Sequence, residues 1–226
     1  MEALLQNHDQ FEELKKDPTK SYEKKNNDLV QELSMDKKTK NNLKIHTAIA
    51  PRLFAQYKIH KQGHPVRPIV STFNSPAYKL SRFLATILKN AFSASKYRLK
   101  NTNDLLKKIR RTRCDPNSIL ISFDVVNCFS NIPSDLAIDL VERDFHLVAK
   151  HTNIPKDTFI NLLKFCMNEC NYFAFEGKFY RQKTGMFMGS SLAPILVERA
   201  VEEAINYTTK KMEKNHVFGL HMLTTT

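Results

Sequence analysis

The chain has 226 residues, enough for one large domain or two small ones with a real core. Apolar residues make up 42% of it, mean hydropathy is −0.43, and no apolar run approaches the ~20 residues that span a bilayer, which excludes a helical membrane protein. The net charge of +12 and the pI near 9.5 point to a polyanionic partner such as DNA, RNA or phosphates.

The N-terminus, MEALLQNHDQFEELKKD, is acidic early and has no apolar h-region, so it does not read as a secretory signal. Residues 1–50 are rich in Lys, Asn, Asp and Glu. They read as a charged, solvated helical lead-in, with Leu29, Val30 and Leu33 marking a short amphipathic helix. Residues 51–226 are core-like. PRLFAQYKIHK and GHPVRPIVS read as two strands of a basic hairpin. Ser75 and Pro76 open a helix, as N-cap and first helical residue, with Leu80, Phe83, Leu84, Ile87, Leu88 and Ala91 as its apolar stripe. A short helix from Asn103 uses Leu105, Leu106 and Ile109 inward and carries Lys107, Lys108, Arg110 and Arg111 outward.

Ser118 to Val126, SILISFDVV, is the strongest strand, nearly continuously apolar as a central strand should be. Asn131-Ile132-Pro133-Ser134 breaks it and caps a helix running to about Lys150. Pro155 starts another helix, with Phe159, Leu162, Leu163 and Cys166 on its apolar face. YFAFEGKFYRQ reads as a hairpin turning at Glu176-Gly177-Lys178, and TGMFMGSSLAP leads into a helix over about Leu192 to Lys211. The mixed order of strands and helices predicts an α+β fold. Of the four cysteines, none forms a C-x-x-C pair. They read as the reduced thiols of an intracellular protein, with Cys166 and Cys170 neighbours on one helix face.

Asp124 lies inside that apolar strand. An unpaired, dry carboxylate there costs several kcal/mol, so it pairs, reaches solvent at a strand end, or holds a metal. A strand ending in a carboxylate, with free backbone N–H groups beyond it, suits a divalent ion and a triphosphate together. Phe129 would then lie beneath the sugar of a bound nucleotide, where a bulky ring excludes a 2′-hydroxyl.

SFDVVNCFSNIP resembles the first catalytic motif of reverse transcriptases, in the form S-F-D-V-x-x-L-F-T-N-I-P of Penelope-like retroelements. PRLFAQYKIHKQGHPVRPIVSTFNSP resembles that family's fingers segment, P-R-L-Y-G-L-P-K-I-H-K followed by R-P-I-V-S. YFAFEGKFYRQKTGMFMGSSLAP resembles its template-grip segment, Y-F-x-F-x-G-x-x-Y-x-Q-x-x-G-x-x-M-G-S-x-L-S-P. The three stand in the family's order over about residues 45–205. There are departures: Ala55-Gln56-Tyr57 replaces Gly-Leu-Pro, Cys128 stands for Leu, Ala193 for Ser, and Val197-Glu198-Arg199 replaces an apolar or Asn-containing stretch.

The resemblance implies the fingers and part of the palm of a right-hand polymerase. The activity it implies is RNA-directed DNA polymerisation, a two-metal nucleotidyl transfer. Asp124 would be the first catalytic aspartate and a ligand of Mg²⁺, two ions being expected in intact relatives. Arg67, Lys58 and Lys61 would meet the incoming triphosphate, and Phe129 would select the sugar. Gln182, Gly185, Met188 and Gly189 would shape the nucleotide and template pocket, the glycines letting backbone approach a base pair. Taken singly, Arg67 reads as a solvated hairpin arginine and the glycines as turns. The implied partners are an RNA template, a DNA primer and dNTP, with no membrane and no small-molecule cofactor. The implied location is intracellular, and nuclear for an element active in retrotransposition.

The family's remaining carboxylates come from a Tyr-x-Asp-Asp hairpin, and no adjacent Asp-Asp pair occurs in this sequence. The expectation is therefore a chain truncated before that hairpin, its thumb and its endonuclease, and unable to polymerise by itself. The closing Leu-His-Met-Leu-Thr-Thr-Thr can be encoded by DNA that reads Tyr-Val-Asp-Asp in a shifted frame, which predicts a frameshift between about Glu203 and Phe218. Two other readings stand beside the polymerase. One is a non-enzymatic, basic nucleic-acid-binding remnant. The other is a chain with no stable fold, whose strand at 118–126 lacks its main partner.

Overall fold

The computed structural model describes residues 5–59, 62–63, 66–93, 99, 101–111 and 125–211. It is an α+β fold. Five strands form one sheet in the order β1-β5-β4-β2-β3. They are β1 (Phe11–Leu14), β2 (Arg52–Tyr57), β3 (Val66–Ser71), β4 (Tyr172–Phe175) and β5 (Lys178–Gln182). Every pairing is antiparallel except the short parallel contact between β2 and β4 at Arg52 and Ala174.

Both expected hairpins form. β2 and β3 pair from Arg52 with Ser71 to Tyr57 with Val66. Pro68 lacks an N–H and is tolerated because β3 is the last strand in the order. β4 and β5 turn through Glu176 and Gly177, both at positive φ (48° and 78°), the pairing Phe175 with Lys178 closing a two-residue turn. β1 is a strand where the lead-in reads as solvated helix. It pairs with β5 from Phe11 opposite Gln182 to Leu14 opposite Phe179. Glu12–Arg181 (3.7 Å) and Glu13–Lys178 (3.0 Å) support it across the strands.

The helices are α1 (Thr19–Glu32), α2 (Lys37–Leu43), α3 (Tyr78–Ala91), α4 (Thr102–Arg111), α5 (Cys128–Asn131), α6 (Ser134–Arg143), α7 (Phe145–Val148), α8 (Lys156–Lys164) and α9 (Ala193–Lys211). α8 continues into a π-helical turn, Phe165–Glu169, closed by the Cys170 N–H on the Phe165 carbonyl (2.9 Å). The expected stripe of α3 is buried at Leu80, Leu84, Ile87 and Leu88, and Phe83 and Ala91 pack against the same core. Val30 and Leu33 join it from the lead-in. A second, smaller cluster covers one face of the sheet: Leu5, Phe11, Leu53, Val70, Phe173 and Phe187. Successive residues of β4 point to opposite faces. Phe173 belongs to the sheet cluster, while Tyr172 is fully buried on the other side and donates its hydroxyl to Thr19 Oγ1 of α1 (2.9 Å).

Four local expectations change. α3 begins at Tyr78, because Asn74 (φ 53°) and two successive turns, Ser75 N–H to the Thr72 carbonyl and Tyr78 N–H to the Ser75 carbonyl, occupy Ser75 and Pro76 first. The helix expected to reach Lys150 breaks at Asp144, whose carboxylate is held by Arg143 and Arg199. In α4 no residue is buried, and Leu106 and Ile109 are exposed. Of the strand expected over 118–126, residues 118–124 lie outside the described residues. Val125 and Val126 are exposed and belong to the turn into α5, where Asn127 is left-handed (φ 49°).

No helix among the described residues is long and apolar enough to cross a membrane.

Candidate functional site

The segment Thr184–Ser190, between β5 and α9, ties two walls of a cleft together. At one end Met186 N–H donates to the Phe129 carbonyl of α5 (2.7 Å). At the other, Val70 N–H of β3 donates to the Met188 carbonyl (2.8 Å), and Thr72 Oγ1 donates to the Gly189 carbonyl (3.2 Å). Pro68, two residues before Val70 on the same strand edge, has no N–H to extend this contact.

Two glycines make the fit possible. Gly185 (φ +76°) lies so near the Ser130 backbone that a Cβ would come within 2.6 Å of the Ser130 Cα. Gly189 (φ +112°) lies against Val70, where a Cβ would meet the Val70 carbonyl oxygen and lie 3.1 Å from its carbon. Here the partners of the glycines are two other pieces of protein backbone, and neither glycine lines the cleft.

The cleft has a volume of about 180 Å³. Lys58, Arg67, Phe129, Gln182 and Met188, all sequence candidates, line it together. They come from the β2–β3 hairpin, from α5, and from the end of β5 and the stretch after it. Phe11, Phe173 and Phe187 supply apolar lining, with the Phe173 ring 5.8 Å from each of the other two in edge-on contact. Lys61 and Asp124 lie outside the described residues.

Lys58 and Arg67 are half-buried at the cleft, and among the described residues no carboxylate lines it. Lys58 and Arg67 bring positive charge to apolar walls, which favours an anion. Gln182 is buried and rigidly held. Its backbone N–H donates to the Asn171 carbonyl (2.9 Å), its carbonyl accepts from Asn171 Nδ2 (2.8 Å), and its own Nε2 donates to the Thr184 carbonyl (2.7 Å). Phe129 is half-buried, and its α5 turn is knitted by Ser130 Oγ on the Asn127 carbonyl (3.2 Å) and Asn131 Nδ2 on the Val126 carbonyl (3.1 Å).

Among the described residues no group of three or more His, Cys, Asp or Glu side chains is placed to hold a metal.

No motif reaches the cleft residues Gln10 and Phe11. Gln10 and Phe11 enter from the lead-in because β1 joins the sheet beside Gln182. The only signal was a single aromatic among acidic neighbours. The departure at Val197-Glu198-Arg199 also acquires a structural account: Val197 is fully buried, and Arg199 binds Asp144 at the α6–α7 break and Glu202 at 3.2 Å.

Compared with known proteins, the chain matches no family model and no curated protein.

Proposed function

We propose that this chain is the fingers and partial palm of an RNA-directed DNA polymerase of the Penelope-like retroelement type, and that the cleft holds the incoming dNTP. The observation that carries the reading is the meeting of three separate segments, each resembling a reverse transcriptase motif, around one cleft that two cationic side chains line. Lys58 and Arg67 take the triphosphate, with Lys61 in the same role, and Phe129 lies at the sugar. Gln182 and Met188 form a wall that Gly185 and Gly189 brace from behind. Asp124 is the ligand for Mg²⁺, with two ions in intact relatives, and the polymer substrates are an RNA template and a DNA primer. Such a protein acts in the nucleus.

Calorimetric titration of the full chain with dATP tests this. Wild type binds, and Arg67→Ala binds roughly 10- to 100-fold more weakly, the loss of one charge-assisted contact. No binding by wild type, or equal binding by Arg67→Ala, overturns the assignment.

A second reading is a non-enzymatic nucleic-acid-binding remnant of such an element. It is favoured by the net charge of +12 and by the exposed Lys107, Arg110 and Arg111 of α4. It predicts duplex binding whose log–log salt slope is about −0.9 per phosphate neutralised, together with no dNTP binding. Flat salt dependence counts against it.

A further inference from the structure

The cleft crosses the sheet from one edge to the other. Its cations, Lys58 and Arg67, stand at the β2–β3 edge. At the opposite edge β1 and β5 bring uncharged groups: the carboxamides of Gln10 and Gln182 and the ring of Phe11. Strand order therefore gives the cleft a cationic end and a neutral, partly aromatic end. A nucleotide has the same division, with phosphates at one end and a nucleoside at the other.

The two glutamines are not equivalent. Gln182 commits its amide donor to the Thr184 carbonyl at 2.7 Å. Gln10 is anchored through its main chain instead: its N–H donates to the Asn7 carbonyl (3.0 Å) and its carbonyl accepts from Lys183 N–H (2.8 Å). Its side chain, half-buried at the cleft, carries both a donor and an acceptor on a fixed backbone. Phe11 beside it is buried opposite Gln182 and packs on Phe173. Met186 N–H donates to the Phe129 carbonyl, so α5 is tied to the segment that leaves β5.

We infer that β1 completes the nucleotide cleft and that Gln10 is a binding residue for the nucleoside part of the ligand. The inference rests on the nucleotide reading above. It gives the lead-in a function that no motif in the sequence assigns: Lys58 and Arg67 hold phosphate, and Gln10 hydrogen-bonds the base or sugar.

The test is calorimetry on the full chain with two probes, dATP and inorganic tripolyphosphate, for wild type and Gln10→Met. Methionine keeps the length of the side chain and removes the amide, and the main-chain bonds of residue 10 do not depend on it. Coincident thermal melts check the fold. The expected result is a three- to tenfold (roughly) weaker affinity for dATP in Gln10→Met, the worth of one neutral hydrogen bond, with tripolyphosphate unchanged. Equal dATP affinity in the two proteins overturns the inference and leaves the nucleotide reading standing. A parallel loss for tripolyphosphate also overturns it, since Gln10 would then act on the cleft as a whole. If wild type binds neither probe, the inference and the reading fall together.

Discussion

Gly185 is packed against Ser130 so closely that no side chain fits between them: a Cβ would lie 2.6 Å from the Ser130 Cα and 2.7 Å from its carbonyl carbon. This contact fixes the distance between the segment after β5 and the short helix that carries Phe129. Together with the Met186–Phe129 hydrogen bond it sets one wall of the cleft.

Gly185→Ala should therefore cost more than the same change at Gly177. Both have positive φ (76° and 78°), but nothing lies within 4 Å of a Cβ on Gly177. Gly177→Ala is expected to cost about 1–2 kcal/mol from backbone conformation alone. Gly185→Ala adds overpacking against main chain, for a total of about 2–5 kcal/mol. Urea unfolding of the two variants measures the difference, and equal midpoints would mean that the Ser130 contact is not tight.

A second prediction concerns the ion network that joins α9 to the α6–α7 break. Arg143 binds Glu203 through both terminal nitrogens (2.9 and 2.8 Å), and Arg199 binds Asp144 with side-chain exposures of only 11% and 14%. Burial pushes the Asp144 carboxyl up, but hydrogen bonds from Arg143 and Arg199 and their charges outweigh it and hold it below its usual range. Hydrogen bonds from Arg143 hold Glu203 down as well, against its burial. Both groups are depressed in the folded state, so their contribution is present above the unfolded carboxylate range near ~4 and is lost as pH falls below it. Asp144→Asn should cost about 1–3 kcal/mol at pH 7. Its melting temperature should converge on that of wild type below about pH 4.

The two faces of β4 can be told apart by mutation. Tyr172→Phe removes one buried hydrogen bond, to Thr19 Oγ1, whose hydroxyl keeps Asp17 as a partner. The expected loss is about 1 kcal/mol, with the cleft untouched. Phe173→Ala empties the centre of the sheet cluster and should cost about 3–5 kcal/mol while also weakening dATP binding. Thermal melts combined with the calorimetric titration separate the two effects.

The thiols should differ in reactivity. Burial pushes Cys166 up to about 12, against a hydrogen bond from Ser81 that acts the other way, and burial raises Cys170 well above its ordinary value. Thiolate, the reactive form, is scarce at both. An aromatic disulfide reagent at pH 8 should modify half-buried Cys128 well before Cys166 and Cys170, and denaturant should expose all four cysteines of the chain. Fast modification of Cys166 in the native protein would contradict the burial of the π-helical turn that follows α8.

Much of this architecture was legible in the chain. The stripe Leu80–Leu84–Ile87–Leu88 has helical spacing, and Glu176-Gly177 between alternating apolar residues marks a tight turn, so both follow from local chemistry. What stayed hidden depends on distant partners. β1 is four residues with two central glutamates, and it is a strand only because β5 lies more than 150 residues downstream. The break at Asp144 is set by Arg199 on another helix. The motifs single out Lys58, Arg67, Phe129, Gln182 and Met188, and these five line one cleft. The close backbone approach expected at Gly185 and Gly189 is made in the structure by Ser130 and Val70. Spacing shows that a backbone must come close, but not which one.

The most direct measurement is photolabelling of the full chain with an azido-dATP, followed by mass spectrometry of the peptides. Label is expected on the cleft segments, around Lys58 to Arg67, Phe129 to Asn131 and Gln182 to Met188, and excess unlabelled dATP should displace it. Label confined to surfaces away from the cleft, or label that dATP does not displace, would contradict it.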